Sequence, residues 1–323
     1  MSIPRRGVNG LPLPTELLCD IFRLAIDTAT PRRDRCRLAL VCHQWWECVE
    51  GSALLWTDIS ASDGPTYVRR ALEKSQGAMI DLHCPDYRGA DMNLEAFLVE
   101  AGPHIARWHS LVAVVLSSSP SSESALAPLA AAQPPRLESL GLIQVDPIHI
   151  LSQNVITLFG GAPAPSTLQD LTLYRFQVAV EPLSLSGLVS LYLTDVVTIS
   201  TPQLFEILRG SPLLETLGLA DNPGLEAIGS QPSTIQPIEL AKLDSISLSW
   251  LDNAGLNSIL SNIRIPNCCS LSICCDVRRI SARSILFTSA ITHILHKTIP
   301  TTDLPSSTII VDVDEDYDCT IQF

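Results

Sequence analysis

The residues best suited to chemistry are thiols and imidazoles. Cys268-Cys269 and Cys274-Cys275 offer four soft donors close together, the kind of set that holds zinc in tetrahedral structural sites. Such sites usually draw their ligands from two turns. Here the pairs flank Ser270-Leu271-Ser272-Ile273, which reads as a strand, and neighbours on a strand point to opposite faces. Core packing fits these cysteines better, so no metal is expected. His293 and His296 stand three apart in a helix-like segment with no carboxylate nearby in sequence to complete a site, and exposed or capping histidines fit better. Cys42 beside His43 pairs a thiol with a base, as nucleophilic catalysis requires. On a helix, however, adjacent side chains diverge by about 100°, and Cys42 falls on the apolar side, so it reads as packing. No GxSxG, HExxH, GxGxxG or GxxxxGK[ST] pattern occurs. Gly160-Gly161 lies in a Pro/Ala stretch and reads as a turn. The expectation is a protein without cofactor and without catalysis of its own.

The elements must therefore position a surface instead of a reactive group. With 46% hydrophobic and 17% charged residues among 323, the chain can bury a sizeable core and is too apolar for a disordered protein. Net charge is −13. Residues 1–60 balance seven Arg against seven acids, so the excess acid lies downstream. Without a basic face, nucleic-acid binding is not expected. Asp312, Asp314, Glu315, Asp316 and Asp318 crowd one end and read as a solvated acidic tail or an acidic docking tail. The 10 cysteines show no regular framework, no Asn-x-Ser/Thr acceptor occurs, and MSIPRRGVNGLPLP has no apolar core of a signal peptide. No apolar run reaches the ~18 residues of a membrane span. A reduced, soluble protein of the cytoplasm and/or nucleus is the expectation, with no membrane contact.

The segment Leu13-Pro14-Thr15-Glu16-Leu17-Leu18-Cys19-Asp20-Ile21-Phe22 opens a helix. Pro14 suits a first turn, Glu16 suits the positive end of the helix dipole, and Leu17, Leu18, Ile21, Phe22 and Ala25 recur at helical spacing. Thr28-Ala29-Thr30-Pro31 ends it. A second helical stretch is expected over Asp34 to Val49, with Leu38, Val41, Cys42, Trp45, Trp46 and Val49 at steps of three and four; Gly51-Ser52 break it before Leu54-Leu55-Trp56-Thr57-Asp58-Ile59. Three short helices cannot easily hide so many large apolar groups, so surplus surface should dock on the rest of the chain or on a partner.

The run LPxELLxxIF, then VCxxW (Val41-Cys42-His43-Gln44-Trp45), then Leu55-Trp56, resembles the F-box. Two departures stand out: the long interval between Phe22 and Val41, and His43-Gln44 where a basic pair is usual. The resemblance implies binding of a Skp-type adaptor, and through it a cullin, by Leu13, Pro14, Leu17, Leu18, Ile21, Phe22, Val41, Cys42 and Trp45.

Downstream, apolar-x-x-apolar-x-apolar recurs from Leu137, Leu168, Leu188, Leu214, Leu243 and Cys268, with a weaker copy from Trp108. Between two pairs, helix signals appear: Thr201 as cap with Pro202 first in the helix, and Asp252 or Asn253 as cap. One strand plus one helix per unit resembles a leucine-rich repeat. Only Asn222 stands where a regular repeat places its Asn; Val145, Phe176, Val196 and Leu251 replace it elsewhere, which predicts irregular turns. Residues 117–135 and 160–166 read as a disordered insertion or as loose connections. The whole resembles F-box/leucine-rich-repeat proteins, especially the divergent kind of mushroom-forming fungi.

The expected fold is α/β. A three-helix F-box-like module (1–60) precedes an irregular leucine-rich-repeat solenoid with a curved parallel sheet (61–311) and an acidic tail (312–323). Such a chain would be a substrate-recognition adaptor, or a scaffold whose helices only cap the solenoid. On the strands, third, fifth and seventh positions should face away from the core. Of those in the six main copies only Asp170 is charged, and Tyr174, Tyr192 and Trp250, one place beyond the seventh position Ser249, are suited to anchor an unknown target protein or, equally, to sit as scaffold among small residues.

Overall fold

The computed structural model describes residues 13–27, 30–85, 92–116, 126–145, 155–179, 184–225, 237–251, 253–268, 270–276, 310–313 and 318–322. Three helices come first: α1 (Thr15–Ala25), α2 (Pro31–Ala39) and α3 (His43–Gly51). Strands follow as β1 (Asp58–Ser60), β2 (Ile80–Cys84), β3 (Trp108–Leu116), β4 (Ser139–Val145), β5 (Asp170–Tyr174), β6 (Ser190–Thr194) and β7 (Thr216–Ala220). Then come β8 (Ile238–Glu239), β9 (Ser245–Ser249), β10 (Ile263–Arg264), β11 (Ser270–Asp276), β12 (Ile310–Val313) and β13 (Asp318–Gln322).

Eleven strands make one sheet in the order β1-β2-β3-β4-β5-β6-β7-β9-β11-β13-β12, and β8 pairs with β10 apart from it. Neighbours from β1 through β11 are parallel. Parallel neighbours need crossovers. Helices α4 (Pro65–Lys74) and α5 (Leu94–Ala101), then helices Ala127–Ala131, Thr201–Gly210 and Asn253–Asn262, lie in these connections. The register aligns the recurring leucines. Leu140, Leu171, Leu191, Leu217, Ile246 and Leu271 stand side by side, all buried. Ile59, Leu82 and Leu111 extend the same row back to β1. Burying each such side chain is worth about 1.5–3 kcal/mol, and a one-residue slip would turn the row to solvent. That is why register holds across strands of only five residues.

The turns after β5, β6, β7 and β9 are alike. Arg175, Asp195, Asp221 and Trp250 each have φ between 48° and 59°. Their N–H groups donate to carbonyls of the next strand, at its last residue Thr194, Ala220 and Ser249 and, on β11, at Cys274, at 2.7–3.0 Å. The following residues, Phe176, Val196 and Asn222, turn into the core. Asn222 Nδ2 donates to the Leu193 carbonyl (2.9 Å) and Oδ1 accepts from Val196 N–H (2.8 Å). Gln177, two turns earlier, reaches the same turn after β6 from the other side, donating to the Asp195 carbonyl at 3.1 Å and accepting from Val197 N–H at 2.9 Å. Loss of the asparagine was expected to make the turns irregular. They are regular instead, because the backbone bond to the next strand does not depend on that side chain.

Three other expectations are corrected. The helix over Asp34 to Val49 is two helices, broken at Leu40–Cys42, where Cys42 is extended (φ −161°, ψ 169°) and caps α3. Val41 is β-branched and Cys42 a poor helix former, so the stretch yields there, while Pro31, free of any N–H requirement at the first position, starts α2 early. The cap of helix Thr201–Gly210 is Ser200, whose N–H meets Gln203 Oε1 at 2.9 Å. Part of the expected acidic tail is sheet: β13 lies antiparallel to β11, and β12 antiparallel to β13. Ile310-Val311 and Thr320-Ile321 are β-branched, and that preference outweighs the neighbouring acids.

Candidate functional site

Two surfaces emerge, one on the helices and one on the sheet. On α1, Leu18 and Phe22 face inward at 4% and 1% exposure, while Leu17 (50%), Ile21 (49%) and Leu24 (87%) face out with Leu13 (49%) just before the helix. The outward residues fall at steps of three and four, so they share one face. Leu40 and Val41, in the α2–α3 break, are also exposed. The nine residues singled out from the sequence therefore divide. Leu13, Pro14, Leu17, Ile21, Val41 and Cys42 reach solvent. Leu18 and Phe22 form the core beneath, and half-buried Trp45 packs its ring 4.7 Å from that of Phe22. Cys42 was read as buried packing on a helix; it is exposed because the chain breaks there. Leu24 and Leu40 were missed, although Leu24 lies one helical step from Ile21.

The helices are fixed to the sheet through Arg35. Its side chain is 1% exposed and donates to the backbone carbonyls of Leu55 and Asp58, with its guanidinium 5.2 Å over the Trp56 ring. Trp56 Nε1 in turn donates to the Val49 carbonyl at 2.7 Å. Asp63 is buried nearby, and burial raises its carboxyl to about 6 against the pull of Arg35 and Arg32. Glu50 accepts from Arg70 at 2.7 Å and pairs with Lys74 at 3.2 Å; these cations hold its carboxyl below the ordinary range although burial opposes them. The three N-terminal helices and the first strand thus share one core.

On the sheet, Tyr174 (37%) and Tyr192 (41%) are exposed on the side away from the leucine rows, and Trp250 (40%) is exposed in the turn just past β9. The register puts Tyr192 beside Gly218, and a Cβ at 218 would lie 2.3 Å from Tyr192 Cδ1. The ring therefore leans over β7, which only glycine permits. Arg175 stacks 5.5 Å over Tyr174 and reaches Asp195 at 3.2 Å. At the other end of the strands, His109 bulges out of register between β2 and β3 and meets Asp81 at 2.8 Å and Glu138 at 3.2 Å. The Asp81 bond, with Glu138 beyond it, raises the imidazole, and Ser110 donates to the same Asp81 oxygen at 2.7 Å. Nothing in the one-dimensional pattern flagged His109, since a bulge is set by pairing.

Among the described residues, no group of three or more His, Cys, Asp or Glu is placed to hold a metal ion. The side chains of Cys269 and Cys275, and residues His293 and His296, lie outside the described residues. Among the described residues no helix is long and apolar enough to cross a membrane. Gly160 and Gly161 form a turn at φ 64° and 76°.

Comparison with curated proteins gives no match. A family model described as F-box-like matches residues 11–62, the span that holds the exposed α1 row, the α2–α3 break and β1. The chain therefore carries an F-box-like domain.

Proposed function

We propose that this chain is a substrate-recognition subunit of a Skp–cullin–F-box ubiquitin ligase. Its helices bind a Skp-type adaptor, and its sheet, an irregular leucine-rich-repeat solenoid of the kind seen in divergent fungal F-box proteins, presents a target. The observation that carries the reading is the row Leu13, Leu17, Ile21 and Leu24, left exposed on a helix whose other face is fully packed, inside the F-box-like match. A row of this kind gains nothing for a lone chain; burial against an apolar partner would stabilise the complex by about 1.5–3 kcal/mol for each side chain fully covered. No step of chemistry is assigned to the chain itself, which acts by bringing target and ligase together in the cytoplasm and/or nucleus.

A second reading makes the helices a cap for the sheet, and one observation favours it: β1 pairs directly with β2. Solenoids do need their ends covered. A cap accounts for Leu18, Phe22 and Arg35, but it leaves the exposed α1 row without a purpose. Capture of the Skp-type adaptor by the full chain distinguishes the readings. Replacing Leu17→Glu and Ile21→Glu together should abolish capture without lowering the melting temperature. Capture at the parental level by that variant would sink the adaptor reading. Deleting residues 11–59 is a blunter test, because it also removes β1.

A further inference from the structure

We infer that the outward face of β6, β7 and β9 takes an extended, Lys/Arg-bearing segment of a partner protein. This rests on the reading of that face as the target surface and gives its occupant a chemistry.

The shape comes from the register. Tyr192 on β6 stands level with Gly218 and Ser247, and Trp250 follows Ser249, so the two rings are two strand spacings, about 10 Å, apart across the sheet and three residues apart along it, with Gly218, Ala220, Ser247 and Ser249 at the outward positions of β7 and β9 beside them. These small residues make a floor, with the Tyr192 ring leaning over it at Gly218 and exposed Trp250 at the far end of β9. A flat strip of small residues edged by sheet suits an extended chain. The floor offers hydroxyls and no aliphatic ridge, so an apolar helix would find little to pack against.

The charge points the same way. Asp170, Glu215, Asp221 and Asp244 are exposed at the two ends of these strands and of β5 beside them. Lys242, in the turn before β9, is exposed as well. Arg175 is engaged with Asp195. Burial and then Glu138 raise the Asp170 carboxyl, as expected where negative charges gather. An acidic segment would be repelled, while a cation would find both ring faces and carboxylates. The face already holds one such arrangement: the Arg175 guanidinium lies over Tyr174 and bonds Asp195. A partner's arginine on Tyr192 or Trp250, bonded to Asp221 or Asp244, would repeat it.

The test titrates the full chain, by fluorescence anisotropy, with a labelled peptide of alternating Arg and Ser. Glu–Ser and Leu–Ser peptides are comparators. The Arg–Ser peptide alone should bind. Tyr192→Ala with Trp250→Ala, and separately Asp170→Asn with Asp221→Asn and Asp244→Asn, should each weaken it by about tenfold or more. Tyr192→Phe and, on the helix layer, Glu206→Gln should leave it unchanged. The asparagine set keeps the left-handed turn at 221, and an unaltered melting temperature shows that it still folds. Equal binding by the parent and both sets would mean attraction to the overall charge of −13 only, and would overturn the inference, as would no binding of the Arg–Ser peptide. Binding of a comparator that is lost in the ring variants would overturn the basic occupant yet leave the target face standing.

Discussion

The helices and the sheet solve opposite problems. On α1, one face is packed and the other keeps large aliphatic side chains in water. On β5, β6, β7 and β9, the inward positions are aliphatic, while the outward ones are Thr, Ser, Gly and Ala with two tyrosines and Asp170. The helical surface is greasy and featureless, suited to a partner met the same way each time. The sheet surface is polar with isolated rings, suited to choosing among partners. Placing both on a shared core teaches that exposure alone does not mark a site. The chemistry of what is exposed separates constant docking from selective recognition.

The sharpest break of that comparison is beneath the α1 row. Phe22→Ala removes a buried ring against Trp45 and should cost about 3–5 kcal/mol in urea unfolding, whereas Leu17→Ala and Ile21→Ala on the exposed side should each stay within about 0.5 kcal/mol and lose adaptor capture. Equal costs on both sides would mean the two faces are misassigned. In the sheet, Asn222→Ala strips partners from Leu193 O and Val196 N–H and should cost about 2–3 kcal/mol; a loss below the scatter of repeated melts would show the backbone ladder suffices alone. Gly218→Ala forces the Tyr192 ring to swing and should cost about 1–3 kcal/mol, with a changed tyrosine signal in near-ultraviolet circular dichroism. An unchanged signal would mean the ring does not lean on β7.

The smallest effect concerns pH at the seam between the two regions. Asp63 has a folded pKa of about 6, above the ~3.9 of an unfolded chain. Its contribution is complete below the unfolded value and is lost as pH rises through 6. The raised imidazole of His109 acts in the same direction. The parent should thus melt at lower temperature at pH 8 than at pH 5, and Asp63→Asn should narrow that gap. A gap of parental size in Asp63→Asn would place Asp63 in water.

Much of this was legible in the sequence because burial writes period-specific patterns. The leucine triplets gave strand phase and face, and LPxELLxxIF gave the helical module and its family. What escaped depends on partners far along the chain. The α2–α3 break has a local cause in Val41 and Cys42, but the packing of the two helices rests on Arg35 and Val49 bonding Leu55 and Trp56, contacts that only the fold brings together. The division of Leu17 from Leu18 needs the core to be located. His109 is aimed by a bulge that exists only once β2 and β3 pair. The strands at 310–313 and 318–322 were obscured by acids that dominate composition but not backbone preference.

The pairing of β1 with β2 has a mechanical consequence. Because the F-box-like segment contributes the first strand of the sheet, the α1 row and the tyrosines are tied through successively paired strands. In the proposed assembly the helices act as the fixed end of a ruler and the sheet as its scale. Each strand added or removed between β2 and β6 would shift a bound target by about 4.8 Å relative to the ligase. Reach would then be encoded in the number of strands, independently of affinity.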